Sequence, residues 1–301
     1  MDNCEGLTAS IKDLALKEMR AGLVGIAATE RLAGAPVGHR PVDFLPDAQV
    51  VVVLCLPIAK GLMRWNSFMQ GSERIPETMA YVDDKGNART WKPLQTIRKH
   101  IERRCSYETI NDNLQRVSLY LALYLEEMGY EALYLPTTYG ATHSWDDAGP
   151  KPPGGTGPMS HRNAAVAAGL GELGLNNLLL TPQYGPRVRL VSIITNAPLT
   201  PDEPLQEPLC LGEKCSLCVR NCPAQAFSTP HHLTMPGQTS LLATFDVEAC
   251  RNYYNKSGGH CGRECMTSCP LVQGIGVRAA ASNASRKLRT GDEVVPVSTD
   301  G

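Results

Sequence analysis

Apolar residues step by three or four between Thr109 and Met128. Ile110, Leu114, Val117, Leu121, Leu125 and Met128 share one face, and Gly129 follows as a stop. That period predicts an amphipathic helix whose stripe is core. Ile11 to Met19 repeats the helical spacing more briefly. Val50 to Pro57, VVVVLCLP, is instead an unbroken apolar run, which suits a strand covered on both faces. Leu23 to Ala28, Glu131 to Pro136 (EALYLP) and Arg187 to Thr195 (RVRLVSIIT) are the other strand-like segments. Helices and strands alternate over residues 1–205, so the pattern predicts an α/β (or α+β) domain. It fixes no strand order.

Two stretches interrupt this alternation. Residues 137–160, TTYGATHSWDDAGPKPPGGTGPMS, make a long connection rich in glycine and proline. Loops of that length in a compact domain are functional or disordered. This one carries Tyr139, His143, Trp145, Asp146, Asp147 and Lys151, all residue types found in sites; a mobile surface loop is the plain alternative. In the next stretch Ser160 can cap a short alanine-rich helix ending at Gly169. Gly169, Gly171 and Gly174 then allow backbone amides to come close to a ligand, although glycines after a helix are mostly caps and turns.

The 301 residues leave ample length for a core, and a net charge of −1 with 20% charged residues does not point to bulk nucleic-acid binding. The opening MDNCEGLTASIKDLALKEMR has no apolar segment with basic flanks and no twin arginine. No window holds eighteen consecutive apolar residues. The expectation is a cytoplasmic protein with reduced cysteines and no membrane span. Arg98, Lys99, Arg103 and Arg104 form a basic helical patch, either a solvated face or a dock for an acidic electron donor. Cys4, Cys55 and Cys105 stand alone, and Cys55 behaves as a small hydrophobe within its apolar strand.

The other eight of the eleven cysteines change the picture. Cys210, Cys215, Cys218 and Cys222 are spaced C-x4-C-x2-C-x3-C, and Cys250, Cys261, Cys265 and Cys269 are spaced C-x10-C-x3-C-x3-C. A proline, Pro223 or Pro270, follows each group. Structural Cys4 zinc also uses C-x2-C pairs but does not explain two C-x3-C-P endings. Disulfides fit poorly with an odd total and no secretory signal. The double motif resembles the bacterial ferredoxins, in which the fourth cysteine of each group reaches across to the other [4Fe–4S] cluster. Carried over, one cluster takes Cys210, Cys215, Cys218 and Cys269, and the other takes Cys250, Cys261, Cys265 and Cys222. The x4 and x3 spacings depart from the usual x2. His260 could stand in for a thiolate there, but a solvated loop histidine is the simpler reading.

HRNAAVAAGLGELGLNNLLLTPQYGPRVRL, followed by this double motif, resembles the corrinoid-dependent reductases, the reductive dehalogenases and epoxyqueuosine reductases. The likeness rests on Ala168 to Leu175 and Tyr184 to Leu190 and covers roughly residues 130–270. It implies a nitroreductase-like cobalamin-binding domain over residues 1–205, a ferredoxin-like module with two [4Fe–4S] clusters over 206–275, and a C-terminal helix and polar tail over 276–301. The cobalamin would be base-off, in keeping with the absence of a D-x-H-x-x-G signature. Gly169, Leu170, Gly171, Gly174, Tyr184 and Gly185 would hold the corrin amides, and loop 137–160 would close over the cobalt. Electrons would pass from an external donor through both clusters to cobalt.

One departure concerns the proton. Epoxyqueuosine reductases carry an acidic residue shortly before the A-G-L-G helix, whereas PGGTGPMSHRN has none. The dehalogenases use a tyrosine beside a basic residue, a part that Tyr139 could play with His143, His161 or Arg162; ordinary packing for Tyr139 and a solvated helix start for His161 are the bland readings. Three functions follow: a corrinoid and iron–sulfur reductase of a small molecule, an epoxyqueuosine reductase acting on tRNA, or a non-catalytic electron carrier or corrinoid-protein reactivator. The first is the preferred expectation. Its partners are a small-molecule substrate and a donor such as ferredoxin or flavodoxin, with nucleic acid not expected and a homodimer left open.

Overall fold

The computed structural model describes residues 3–63, 76–137, 157–256 and 263–273. Its centre is a four-stranded sheet in the order β1 (Leu23–Ala28), β2 (Val50–Pro57), β8 (Val188–Thr195) and β5 (Ala132–Tyr134), while β3 (Met79–Val82) and β4 (Ala88–Trp91) pair as a separate exposed hairpin. Every pairing in the sheet is antiparallel: Leu23 faces Cys55, Val50 faces Thr195 and Ala132 faces Thr195. The domain is therefore α+β in layout. The strand expected over 131–136 shrinks to three residues at the sheet edge.

β2 lies between β1 and β8 and is buried over its first six residues, which explains its unbroken apolar run. Alternate side chains leave on opposite faces. Val50, Val52 and Leu54 pack with α1 (Asn3–Asp13) and the long helix Thr109–Glu127. Val51, Val53 and Cys55 pack with the short helix His161–Ala167 and the turn Thr29–Leu32. Each fully buried Leu or Ile stabilises the fold by about 1.5–3 kcal/mol. The 109–127 helix buries Leu114, Leu121 and Leu125, while Met128, the last residue of its expected stripe, is 44% exposed.

The short helix starts as its sequence predicts. Ser160 Oγ accepts the Asn163 N–H, and Gly169 beyond its end has φ +70°. The chain then makes a small ribbon, β6 (Glu172–Leu173) paired with β7 (Leu179–Leu180), turning through Asn176 and Asn177. Asn177 takes the left-handed conformation (φ 61°) that asparagine tolerates.

Between the two cysteine groups lies a hairpin, β9 (Phe227–Met235) and β10 (Gln238–Phe245), turning at Pro236–Gly237. It docks back on the ribbon: Ala243 N–H donates to Leu175 O at 2.9 Å, and Asn177 Nδ2 to Ala243 O at 2.6 Å. Leu242 joins the core on the short helix's side of the sheet, with Leu233 and Met235 packed against it.

Candidate functional site

The cysteines after Leu209 sit on very short elements. A four-residue helix, Leu217–Arg220, begins at Ser216 and another, Glu264–Thr267, at Arg263. Both starting residues are left-handed (φ 44° and 58°), although neither is glycine. Asn221 and Ser268, the residues just before Cys222 and Cys269, face each other, with Asn221 Nδ2 donating to Ser268 Oγ at 3.1 Å. The two motifs thus meet at equivalent points.

Their thiols fall into two neighbourhoods. Burial pushes the Cys269 thiol up to about 12, with further contributions from Cys210, Cys218 and Cys215. Cys218 is pushed up to about 11 by burial, then by Cys210 and Cys215. Cys250 is raised by burial and then by Cys222. Backbone donors oppose these shifts at Cys210, whose sulfur accepts the N–H groups of Leu175 and Gly212, each at 3.4 Å. Glu172, buried in the ribbon, accepts the N–H of Leu209 at 2.7 Å and that of Cys210, fixing the chain at the first cysteine. Burial raises the Glu172 pKa, and those hydrogen bonds lower it. Asn176 Nδ2 donates to Cys265 O at 2.5 Å and ties the ribbon to the second motif. Cys261 and His260 lie outside the described residues. Among the described residues, no three His, Cys, Asp or Glu side chains gather closely enough to hold a single ion.

On the other side of the ribbon is a cavity of about 690 Å³, within the range of small-molecule sites. Leu178 and Leu179 line it, whereas Leu175, Asn176 and Leu180 line the space beside Cys210, Cys215, Cys218 and Cys269. The ribbon is a partition one layer thick. The hairpin tip, Leu233 to Pro236, forms another wall, and Thr137 and Gly157, where the long 137–160 connection leaves and returns, are also lining residues. Tyr139 and His143 belong to that connection and lie outside the described residues.

His161 lines the cavity but is not a solvated helix-start residue. It is 9% exposed, with Nε2 donating to Pro136 O at 2.9 Å and Nδ1 accepting from Ser192 Oγ at 2.8 Å. Burial drives its pKa down to about 4, with Arg189 lowering it further and the Pro136 bond opposing. A neutral ring with both nitrogens engaged is poorly suited to donating a proton or to lowering a tyrosine pKa. Its evident work is to pin the short helix to β8. Arg162 also lines the cavity and donates to Asn177 O.

Gly169, Leu170, Gly171, Gly174, Tyr184 and Gly185 are not among the cavity-lining residues. A Cβ on Gly169 would lie 2.1 Å from Glu203 O, and one on Gly171 2.0 Å from Leu180 O. Those two glycines let segments of the same chain touch. Gly174 abuts Leu180, Gly185 abuts Leu271, Leu170 is core, and the Tyr184 ring lies under Arg187 at 5.1 Å.

A pair that the sequence did not announce occupies the cavity wall. The Arg189 guanidinium lies 4.2 Å from the centre of the Tyr107 ring, and its Nε donates to Asn111 Oδ1 at 3.0 Å. Both Tyr107 and Arg189 line the cavity. Tyr107 comes from the segment before the long helix and Arg189 from β8, so only the fold brings them together. No local signal could have found the pair.

No family model matches the chain. Its fold resembles that of a reductive dehalogenase described for B12-dependent dehalogenation, with a TM-score of 0.60 and 21% identity, over 96% of this chain and 36% of that one. It also resembles an epoxyqueuosine reductase solved with a tRNA stem loop, at 0.52 and 18%, over 92% and 68%.

In sequence, the chain is 37% identical over 117 residues to the tetrachloroethene reductive dehalogenase of Sulfurospirillum multivorans, covering 36% of this chain and 23% of that protein. It is 33% identical over 122 residues to the epoxyqueuosine reductase of Bacillus subtilis, covering 40% and 31%. Its homologues are thus reductive dehalogenases and epoxyqueuosine reductases, consistent with an oxidoreductase. The chain spans about a third of the solved dehalogenase, and the matched segments less than a third of these two sequence relatives. The tRNA-bound relative removes support for the expectation against a nucleic-acid partner. Among the described residues, no helix is long and apolar enough to cross a membrane.

Proposed function

We propose that this chain is a corrinoid- and iron–sulfur-dependent reductase that cleaves a bond reductively in a small molecule. The observation that carries the reading is the partition: thiols gather on one side of the β6–β7 ribbon and a cavity opens on the other. The donor set fits [4Fe–4S] ligation. Cys210, Cys215, Cys218 and Cys269 form one electrostatic neighbourhood and Cys250 with Cys222 another, in keeping with crossed ligand sets completed by Cys265 and Cys261. Thiols spread around a space, with N–H groups aimed at Cys210, suit a cubane better than one tetrahedral ion. The accompanying organisation is a nitroreductase-like domain over 1–205 and a ferredoxin-like module over 206–275. A base-off corrinoid would bear on the cavity, with the 169–174 and 184–185 segments packed behind its wall. When bound, these groups supply one-electron chemistry.

The overall change takes two electrons from an external donor and one proton. A carbon–halogen or carbon–oxygen bond breaks, a carbon–hydrogen bond forms, and the leaving group departs with its electron pair. Among the described residues Tyr107 is placed to hold that proton. Arg189 against its ring sets a cation beside the anion left after transfer. His161 stays neutral and positions the wall. Tyr139, for which the resemblance offers His143, His161 or Arg162 as the basic partner, is the alternative donor.

Protein purified without oxygen and supplied with cobalamin should hold about eight irons and show base-off corrinoid absorption. Iron without corrinoid would turn the reading towards an electron carrier, and zinc without sulfide would end it. Tyr107→Phe should lower turnover by about 10²-fold or more with corrinoid uptake intact. Full turnover in that variant, with loss in Tyr139→Phe, would move the proton to Tyr139. The tRNA-bound relative keeps a second reading in play, an epoxyqueuosine reductase-like enzyme. Reduction of an epoxyqueuosine-bearing stem loop by the purified chain would establish it.

A further inference from the structure

The cavity's charge is one-sided. Arg31, Arg162 and Arg189 line it, and no aspartate or glutamate does so among the described residues. Two of the three guanidinium groups are engaged elsewhere. Arg31 donates to the carbonyls of Ala167 (3.0 Å) and Asp202 and lies 3.9 Å from the Glu203 carboxylate. Arg189 stacks on Tyr107 and bonds Asn111.

Arg162 differs. Among the described residues its hydrogen bond goes to one neutral carbonyl, that of Asn177, and no carboxylate pairs with it. Its side chain is exposed and faces the open cavity. A guanidinium keeps its charge at any working pH and presents a planar fork of donors. An oxyanion bound across the fork would gain paired charge-assisted bonds. Leu178 and Leu179 on the ribbon and Leu233 and Met235 on the hairpin tip add apolar surface to a lining that also holds Thr137, Ser160, Asn163 and Thr234.

We propose that Arg162 holds the acid group of a small organic anion whose apolar body lies against Leu178, Leu179 and the hairpin tip. This names the substrate class, and it rests on the reading that the cavity is the reaction chamber.

A matched pair of probes tests it: benzoate and its neutral isostere benzamide, titrated calorimetrically into the full chain purified without oxygen with its bound cofactors. Benzoate should bind about tenfold or more tightly than benzamide. Arg162→Gln should abolish that preference, and Arg162→Lys, which keeps the charge but not the fork, should retain only part of it. Equal affinities, failure of both probes to bind, or a preference untouched in Arg162→Gln would overturn the proposal. Loss of cobalamin uptake in Arg162→Gln, with uptake of cobinamide (which lacks the nucleotide phosphate) unaffected, would also overturn it. The guanidinium would then belong to the corrinoid's phosphodiester. Corrinoid content is read from absorption and anion binding from heat, so failure of the cofactor reading is distinguishable from failure of this one.

Discussion

The sheet domain and the cysteine segment are held together by different physics. β2 buries six consecutive residues, and both faces of the sheet are covered by helices whose apolar residues interlock with it. The two four-residue helices that carry Cys218 and Cys265 contain no buried residue, and their starting positions adopt left-handed backbone at serine and arginine. One region can stand on water exclusion. The other concentrates thiols, among which burial raises the pKa of Cys218 and Cys269, and on the proposed reading a cationic centre holds them.

Removing that centre is the strongest way to break the comparison. On the proposed reading, chelation of iron should abolish amide-exchange protection around Cys210–Cys222 and Cys265–Cys269 while the strands of the central sheet, and the β9–β10 hairpin docked on its side, stay protected. Simultaneous loss in both regions would mean that they share one folding unit. The reverse experiment comes next in size. Leu121→Ala, at a fully buried position under the sheet, should cost about 2–5 kcal/mol in urea unfolding and leave iron per chain unchanged. The smallest effect concerns His161. Its folded pKa, about 4, lies below the ordinary 6.5, so the fold favours the neutral ring. The stability this provides is complete above pH 6.5 and drains away as pH falls towards 4, a loss of up to about 3 kcal/mol. His161→Gln should flatten that part of the pH–stability curve; an unchanged slope would place the titration elsewhere.

The sequence was most readable where one residue's surroundings come from its neighbours. The run at 50–57, the helical stripe at 109–128, the cap at Ser160 and the stop at Gly169 all declare themselves locally. Strand order did not, because alternation says which face a residue takes and nothing about which strand lies beside it. Hence an antiparallel sheet emerged from a pattern that also suits a parallel one. The Phe227–Phe245 hairpin carried a usable sign, Pro236–Gly237 between two β-rich runs, overshadowed by the cysteines on either side. The glycines of 169–174 had the right chemistry for close approach, but the partner at Gly169 and Gly171 is the chain itself. Tyr107 and Arg189 were beyond reach, since nothing near either residue encodes the other.

The partition formed by Glu172 to Leu180 has two sets of tenants and little thickness. A side chain enlarged on one of its surfaces must be absorbed by the other, so the ribbon is a poor place for adaptation. The hairpin tip and the turn around Arg31 to His39 answer to one chamber only. Drift towards a new ligand should accumulate there first, leaving the wiring behind the wall undisturbed.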